Sequence, residues 1–103
     1  MLSWVINLAL EFRTLKIAQT TTDNGTPINI SGAKMVTIRN TGSTTLWIGA
    51  TQQITLTNQT TPMNYAILEK QLDYAIQIPP NQTNIWLAAP ESGGGTISII
   101  YVN

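Results

Sequence analysis

Apolar side chains recur at every second position along most of this chain, and that period constrains the fold more than any other feature. Trp4, Ile6, Leu8, Leu10 and Phe12 alternate with Ser3, Val5, Asn7, Ala9 and Glu11. Leu72, Tyr74, Ile76 and Ile78 share one face, as do Ile97, Ile99 and Tyr101. A period of two marks strands with one face on a core. Helix is the rival reading for the first segment, because Leu, Ala and Glu are helix formers and helical spacing also aligns Leu8 with Phe12. The phase slips at Arg13–Thr14 before Leu15 and Ile17 resume it. A bulge or tight turn there accounts for the slip.

Turn chemistry punctuates the alternation. Thr20 to Pro27 reads as a loop, with Asn24-Gly25 as its turn signal, since both residues tolerate positive φ. Further strands are expected at Ile28–Ile30, Met35–Asn40, Thr45–Ile48, Ile54–Thr57, Tyr65–Leu68, Leu72–Ile78, Ile85–Ala88 and Thr96–Val102. Thr41-Gly42-Ser43-Thr44 turns the chain, and Pro90 to Gly95 reads as a flexible hairpin loop. Glu69-Lys70-Gln71 is either a turn or part of one helical turn. Pro79-Pro80 stops any strand, because proline offers no ladder donor. The last segment has Ile100 and Val102 opposite its inward face, which suggests cover on both sides. Roughly eight or nine short strands with such spacing imply an all-β sandwich or barrel. A chain of 103 residues without repeat or linker makes one domain, 1–103, with residues 1–19 as a candidate assembly strand or arm. Ile97 and Ile99 are expected in the core, with Ile38, Leu46 and Ile76 near them.

Composition narrows the function. Only 10% of residues are charged and the net charge is zero. No basic surplus exists to neutralise phosphates, which argues against nucleic-acid binding as the main task. So few charges keep molecules apart poorly, which suits a protein held in an assembly. A secreted domain solubilised by Thr, Asn and Gln is the plainer alternative. There is no Cys, hence no disulfide or thiolate, and the compartment stays open. The start, MLSWVINLALEF, lacks a basic region, and Asn7 and Glu11 interrupt it, so it does not read as a signal peptide. No stretch approaches the length of a membrane-spanning helix.

Little in the chain can do chemistry. Without His there is no Ser-His-Asp triad and no imidazole base. The carboxylates Glu11, Asp23, Glu69, Asp73 and Glu91 form no pair that the sequence singles out, and solvated surface charge is the better account of them. Zinc lacks its usual ligands. Asp23-Asn24 offers oxygen ligands for calcium, but an ordinary hairpin explains Asp-Asn-Gly just as well. No enzyme, cofactor or metal site is expected. Asn29, Asn58 and Asn81 begin N-x-Ser/Thr sequons; Asn58 and Asn81 fall in expected loops and are the glycosylation candidates. Trp47 and Trp86 are opposite in phase to apolar neighbours. They present a sugar-binding face if both are exposed, or else cover the second face of the sandwich or an interface. The interface candidates are Trp4, Ile6, Leu8, Leu10, Phe12, Trp47 and Trp86.

Val36 to Gly49, VTIRNTGSTTLWIG, resembles a pattern in small structural proteins of bacterial and archaeal viruses: a strand, an Arg-Asn-x-Gly/Ser turn, and a return to Ile-Gly. Ile78 to Gln82, IPPNQ, stands where such proteins carry a Pro-Pro-Gly-Glu/Gln-like turn, and Gly95-Thr96-Ile97-Ser98-Ile99 is similar to their closing strand. The likeness covers residues 35–102, with Asn81 replacing the usual Gly. It implies a jelly-roll-like sandwich and a capsid, decoration, spike-base or tail accessory protein of a virion. It implies other virion or capsid proteins as partners and a homo-oligomer, trimer or pentamer. The alternative is a carbohydrate- or cell-surface-binding β-sandwich module outside the cell. On the first reading the Trp4–Phe12 face is covered by another subunit.

Overall fold

The computed structural model describes residues 10–30, 32–54 and 65–102. Among them are eight strands and no helix: β1 (Leu10–Ile17), β2 (Thr26–Asn29), β3 (Met35–Asn40), β4 (Leu46–Gly49), β5 (Ala66–Leu68), β6 (Asp73–Gln77), β7 (Asn84–Ala88) and β8 (Gly95–Val102). They form two four-stranded antiparallel sheets, in the orders β1-β8-β3-β6 and β2-β7-β4-β5. First pairs with last, second with seventh, third with sixth, fourth with fifth. The chain is thus one long hairpin rolled into a sandwich, the jelly-roll arrangement of two nested Greek keys. The expected all-β sandwich is what forms.

The alternation does its expected work in the core. Val36, Ile38, Ile97 and Ile99 of one sheet meet Leu46, Ile48, Ile85 and Leu87 of the other, all buried. Each such side chain contributes roughly 1.5–3 kcal/mol of transfer free energy. Ile38, Leu46, Ile97 and Ile99 are fully enclosed, and Ile76 is a partly buried neighbour of the same cluster.

Several local expectations need correction. β3 and β4 lie in different sheets, so the Thr41–Thr44 turn is an arch across the sandwich rather than a hairpin. The PESGGG loop likewise carries the chain from β7 to β8 in the opposite sheet. Of consecutive strands, only β4 and β5 pair. Hairpins and arches use the same Gly, Asn and Ser turn chemistry, so the sequence does not separate them. Ile54 lies outside any strand, and residues 55–57 lie outside the described ones. Glu69 to Leu72 is a turn, closed by Leu72 N–H donating to Glu69 O at 3.2 Å, with Gln71 at φ 65°.

Asn24-Gly25 makes no hairpin either. Asn24 bridges to Gln53, and Ile54 N–H donates to Asp23 O at 2.6 Å. Gly25 serves by being small: a Cβ there would lie 2.8 Å from Ile54 Cδ1 and 3.0 Å from Trp86 Cβ. The 50–54 loop can therefore close onto the sheet.

β1 contains no bulge. Its pairing with β8 runs unbroken from Leu10↔Val102 to Ile17↔Gly95. The phase slip at Arg13–Thr14 instead moves the apolar stripe from one face of the strand to the other. Leu15 and Ile17 turn into the core, whereas Phe12 turns out to solvent, 69% exposed.

Candidate functional site

The two outer faces of the sandwich differ. On the β2-β7-β4-β5 sheet, register places Trp47 beside Ala88 and Trp86 between Pro27 and Gly49. Both indoles sit on the outer face, as their phase implies. Trp47 is only 6% exposed, because Tyr65 stacks on it with centroids 4.2 Å apart and Ile54 folds over it. Trp86 is half-buried against the same cluster. The chain thus builds a second small core on this face. A platform of two exposed tryptophans does not form, since one ring face of Trp47 is occupied by Tyr65.

The β1-β8-β3-β6 face has no such cover among the described residues. Phe12, Ile100, Thr37 and Ala75 lie in one row across it, and Thr14, Ser98, Arg39 and Asp73 in the next. Phe12 and Ile100 are exposed, as is Met35 one row further on. The Arg39 guanidinium and the Asp73 carboxylate neutralise each other at 3.4 Å, each about half exposed. At the β1 edge, Arg13 turns inward and donates from Nη1 to the Asn29 carbonyl at 3.2 Å, joining the two sheets. An inward-pointing charge also discourages strand addition at an edge.

Of the interface candidates, Phe12 is exposed, Trp86 half-buried and Trp47 buried within its own chain. Leu10 is the first residue of β1. Trp4, Ile6 and Leu8 lie outside the described residues, as does Asn58. Asn81 is exposed in the Pro79–Gln82 turn, which Gln82 N–H closes onto Pro79 O at 3.0 Å.

At the opposite side from the β1 edge, a cleft of about 430 Å³ opens between the edges of β5 and β6. Ile48 and Ile85 of the core form its floor, and Ala66, Tyr74, Ile76 and Gln82 line it. The lining offers phenol and amide groups but no carboxylate, amine, imidazole or thiol. Such a lining offers apolar contact and neutral hydrogen-bonding groups, and lacks an acid–base or nucleophilic pair.

The carboxylates are placed by turns. Glu91 Oε2 accepts from Thr45 N–H at 2.7 Å, and Glu69 Oε2 accepts from the Thr45 hydroxyl at 3.4 Å. Sequence reasoning missed this convergence, because the two residues are far apart in the chain and meet only through the arches. Neither lines the cleft. Among the described residues, no three His, Cys, Asp or Glu side chains come together.

The exposure of Phe12 on this face was also missed, although its signal is present in the sequence: the slip between Phe12 and Leu15, read there as a bulge or tight turn. No helix among the described residues is long and apolar enough to cross a membrane. The chain matches no protein-family model, no curated protein and no solved structure.

Proposed function

We propose that this protein is a non-enzymatic structural component of a virion, a capsid, decoration, spike-base or tail protein that acts by packing against other protein subunits. The observation that carries the reading is the contrast between its outer faces: one carries a small second core around Trp47, with Ile67 exposed beside it, and the other presents Phe12, Ile100 and Met35 to solvent. Exposed apolar surface of this kind marks interaction sites. The scarcity of charge supports it, since only 10% of residues oppose association. The jelly roll supports it by fold-level analogy, as the architecture recurs in viral capsids and in lectins. Its partners on this reading are other virion proteins and further copies of itself, as a trimer or pentamer.

Mass spectrometry and immunogold labelling of purified particles test the reading. The protein is expected at stoichiometric abundance in the particle, and its absence from particles overturns the proposal. A second reading, a carbohydrate- or cell-surface-binding module, draws on the β5/β6 cleft with its Tyr74, Gln77 and Gln82 groups. Saturable binding on a glycan array, abolished by Tyr74→Ala, is the result that would favour it.

A further inference from the structure

The outer face of the β1-β8-β3-β6 sheet, uncovered among the described residues, has at its centre a row of large and small side chains that fits itself. We infer that it packs against the same face of a second copy, about a two-fold axis parallel to the strands and midway between β8 and β3. The inference rests on the assembly reading above; a two-fold contact joins copies in pairs, so it is separate from any contact that closes a trimer or pentamer.

Such an axis exchanges β1 with β6 and β8 with β3, and keeps each row opposite itself. In the row Phe12, Ile100, Thr37, Ala75, Phe12 then meets Ala75 of the other copy, and Ile100 meets Thr37. Each large side chain falls on a small one, as interdigitating sheet faces require. A two-fold contact must be self-complementary, and this row is.

Charge selects the same occupant. Lys16, Arg39 and Asp73 are the charged groups on this face among the described residues, and the last two already satisfy each other at 3.4 Å. A strongly acidic or basic partner gains little here. A second neutral face gains by removing Phe12, Ile100 and Met35 from water.

The strands of this face are eight, eight, six and five residues long, so at about 3.4 Å per residue and 4.8 Å between strands they cover roughly 440 Å² in projection. Side-chain relief raises the accessible area above the projection, toward the roughly 800 Å² per partner of a standard interface.

The chain has no cysteine, so single cysteines report the geometry without background. With a bismaleimide whose span matches the roughly 10 Å between packed sheets, an equimolar mixture of Phe12→Cys and Ala75→Cys proteins is expected to form cross-linked dimers at least ~10-fold faster than either variant alone, because the axis brings those positions together and keeps like positions apart. Sedimentation at roughly 100 μM should give a dimer for the unaltered chain and a monomer for Phe12→Lys, which should keep its β-sheet circular dichroism and lose only the concentration-dependent part of its melting temperature. A monomeric unaltered chain overturns the inference. So does a Phe12→Lys protein that keeps its mass, or a mixture that cross-links no faster than its components. Assemblies that survive Phe12→Lys would sink this interface and leave the virion reading intact. That reading is decided separately, by the composition of purified particles.

Discussion

The side-chain amide of Asn40 donates to the main-chain carbonyl of Leu68 at 3.0 Å, and so ties β3 in one sheet to β5 in the other. Asn40 is fully buried and completely satisfied. Its amide also donates to Thr44 O at 2.7 Å, and its Oδ1 accepts from Gly42 N–H at 3.1 Å. Its main chain bonds to the β5–β6 turn through Leu72 O and Gln71 N–H. One residue thus fixes both the β3–β4 arch and the connection that starts the return of the roll.

Asn40→Asp is the sharpest test of that role. It keeps shape and replaces two donors with acceptors facing the carbonyls of Thr44 and Leu68. A loss of about 3–5 kcal/mol is expected by urea unfolding at neutral pH, from two carbonyls left unsatisfied and a buried charge. Burial raises the folded-state pKa of the new carboxyl above its unfolded value, so the loss relative to the unaltered protein should shrink as pH falls toward about 4, where the protonated acid again donates. Equal stability at neutral pH would show that the amide does not hold the sheets together.

Ile99 tests the core. It is fully buried on β8, in register with Ile38 on one side and Arg13 on the other. Ile99→Ala should destabilise by about 2–5 kcal/mol with an unchanged denaturant slope. A change within about 0.5 kcal/mol would mean that the space collapses without cost.

How far the sequence carries follows from residues such as these. Inward faces were legible in the central strands: Ile97, Ile99, Ile38 and Leu46 all lie in the core. At the β6 edge the same alternation leaves Leu72 55% and Tyr74 40% exposed, because no strand lies beyond it. The partners of those strands were not legible. Thr41–Thr44 has the chemistry of a hairpin and forms an arch, and only contacts far apart in the chain decide between them. The turn motif around Asn40 could be seen, but its bond to Leu68 spans 28 positions and has no local sign. The slip at Arg13–Thr14 was visible and misread. A bulge and a change of exposed face give the same pattern, and unbroken pairing with β8 distinguishes them. The two tryptophans were correctly placed opposite the core, while the cover over Trp47 depends on Ile54 and Tyr65, on either side of the β4–β5 connection.

That cover yields a further prediction. Trp47→Ala removes the ring that Tyr65 stacks on and Ile54 packs against, and should cost about 3–5 kcal/mol in thermal or urea unfolding. Trp47→Phe keeps an aromatic pair and should cost less than about 2 kcal/mol. Trp86, half-buried beside Gly49, should tolerate Trp86→Phe better still. If Trp47→Ala unfolds like the unaltered protein, the second core contributes nothing and the ring is free for a ligand.

The last arch can be probed by two adjacent glycines that differ in one respect. Gly93 and Gly94 both have positive φ, 92° and 70°. A Cβ on Gly93 meets nothing within 4 Å, whereas a Cβ on Gly94 runs into the main-chain oxygen of Ile17, where β1 ends against β8. Gly93→Ala therefore carries backbone strain alone, about 1–2 kcal/mol. Gly94→Ala adds a collision with a backbone that pairing holds in place, and its loss should reach about 3 kcal/mol or more. It should also loosen the Thr44 hydroxyl, which donates to Gly94 O at 2.7 Å and pins the β7–β8 arch to the β3–β4 arch. Hydrogen exchange at Ile17 and Thr96 is expected to quicken in Gly94→Ala and stay near normal in Gly93→Ala. Equal losses in the two variants would mean that strain, rather than the approach of β1, is what glycine relieves here.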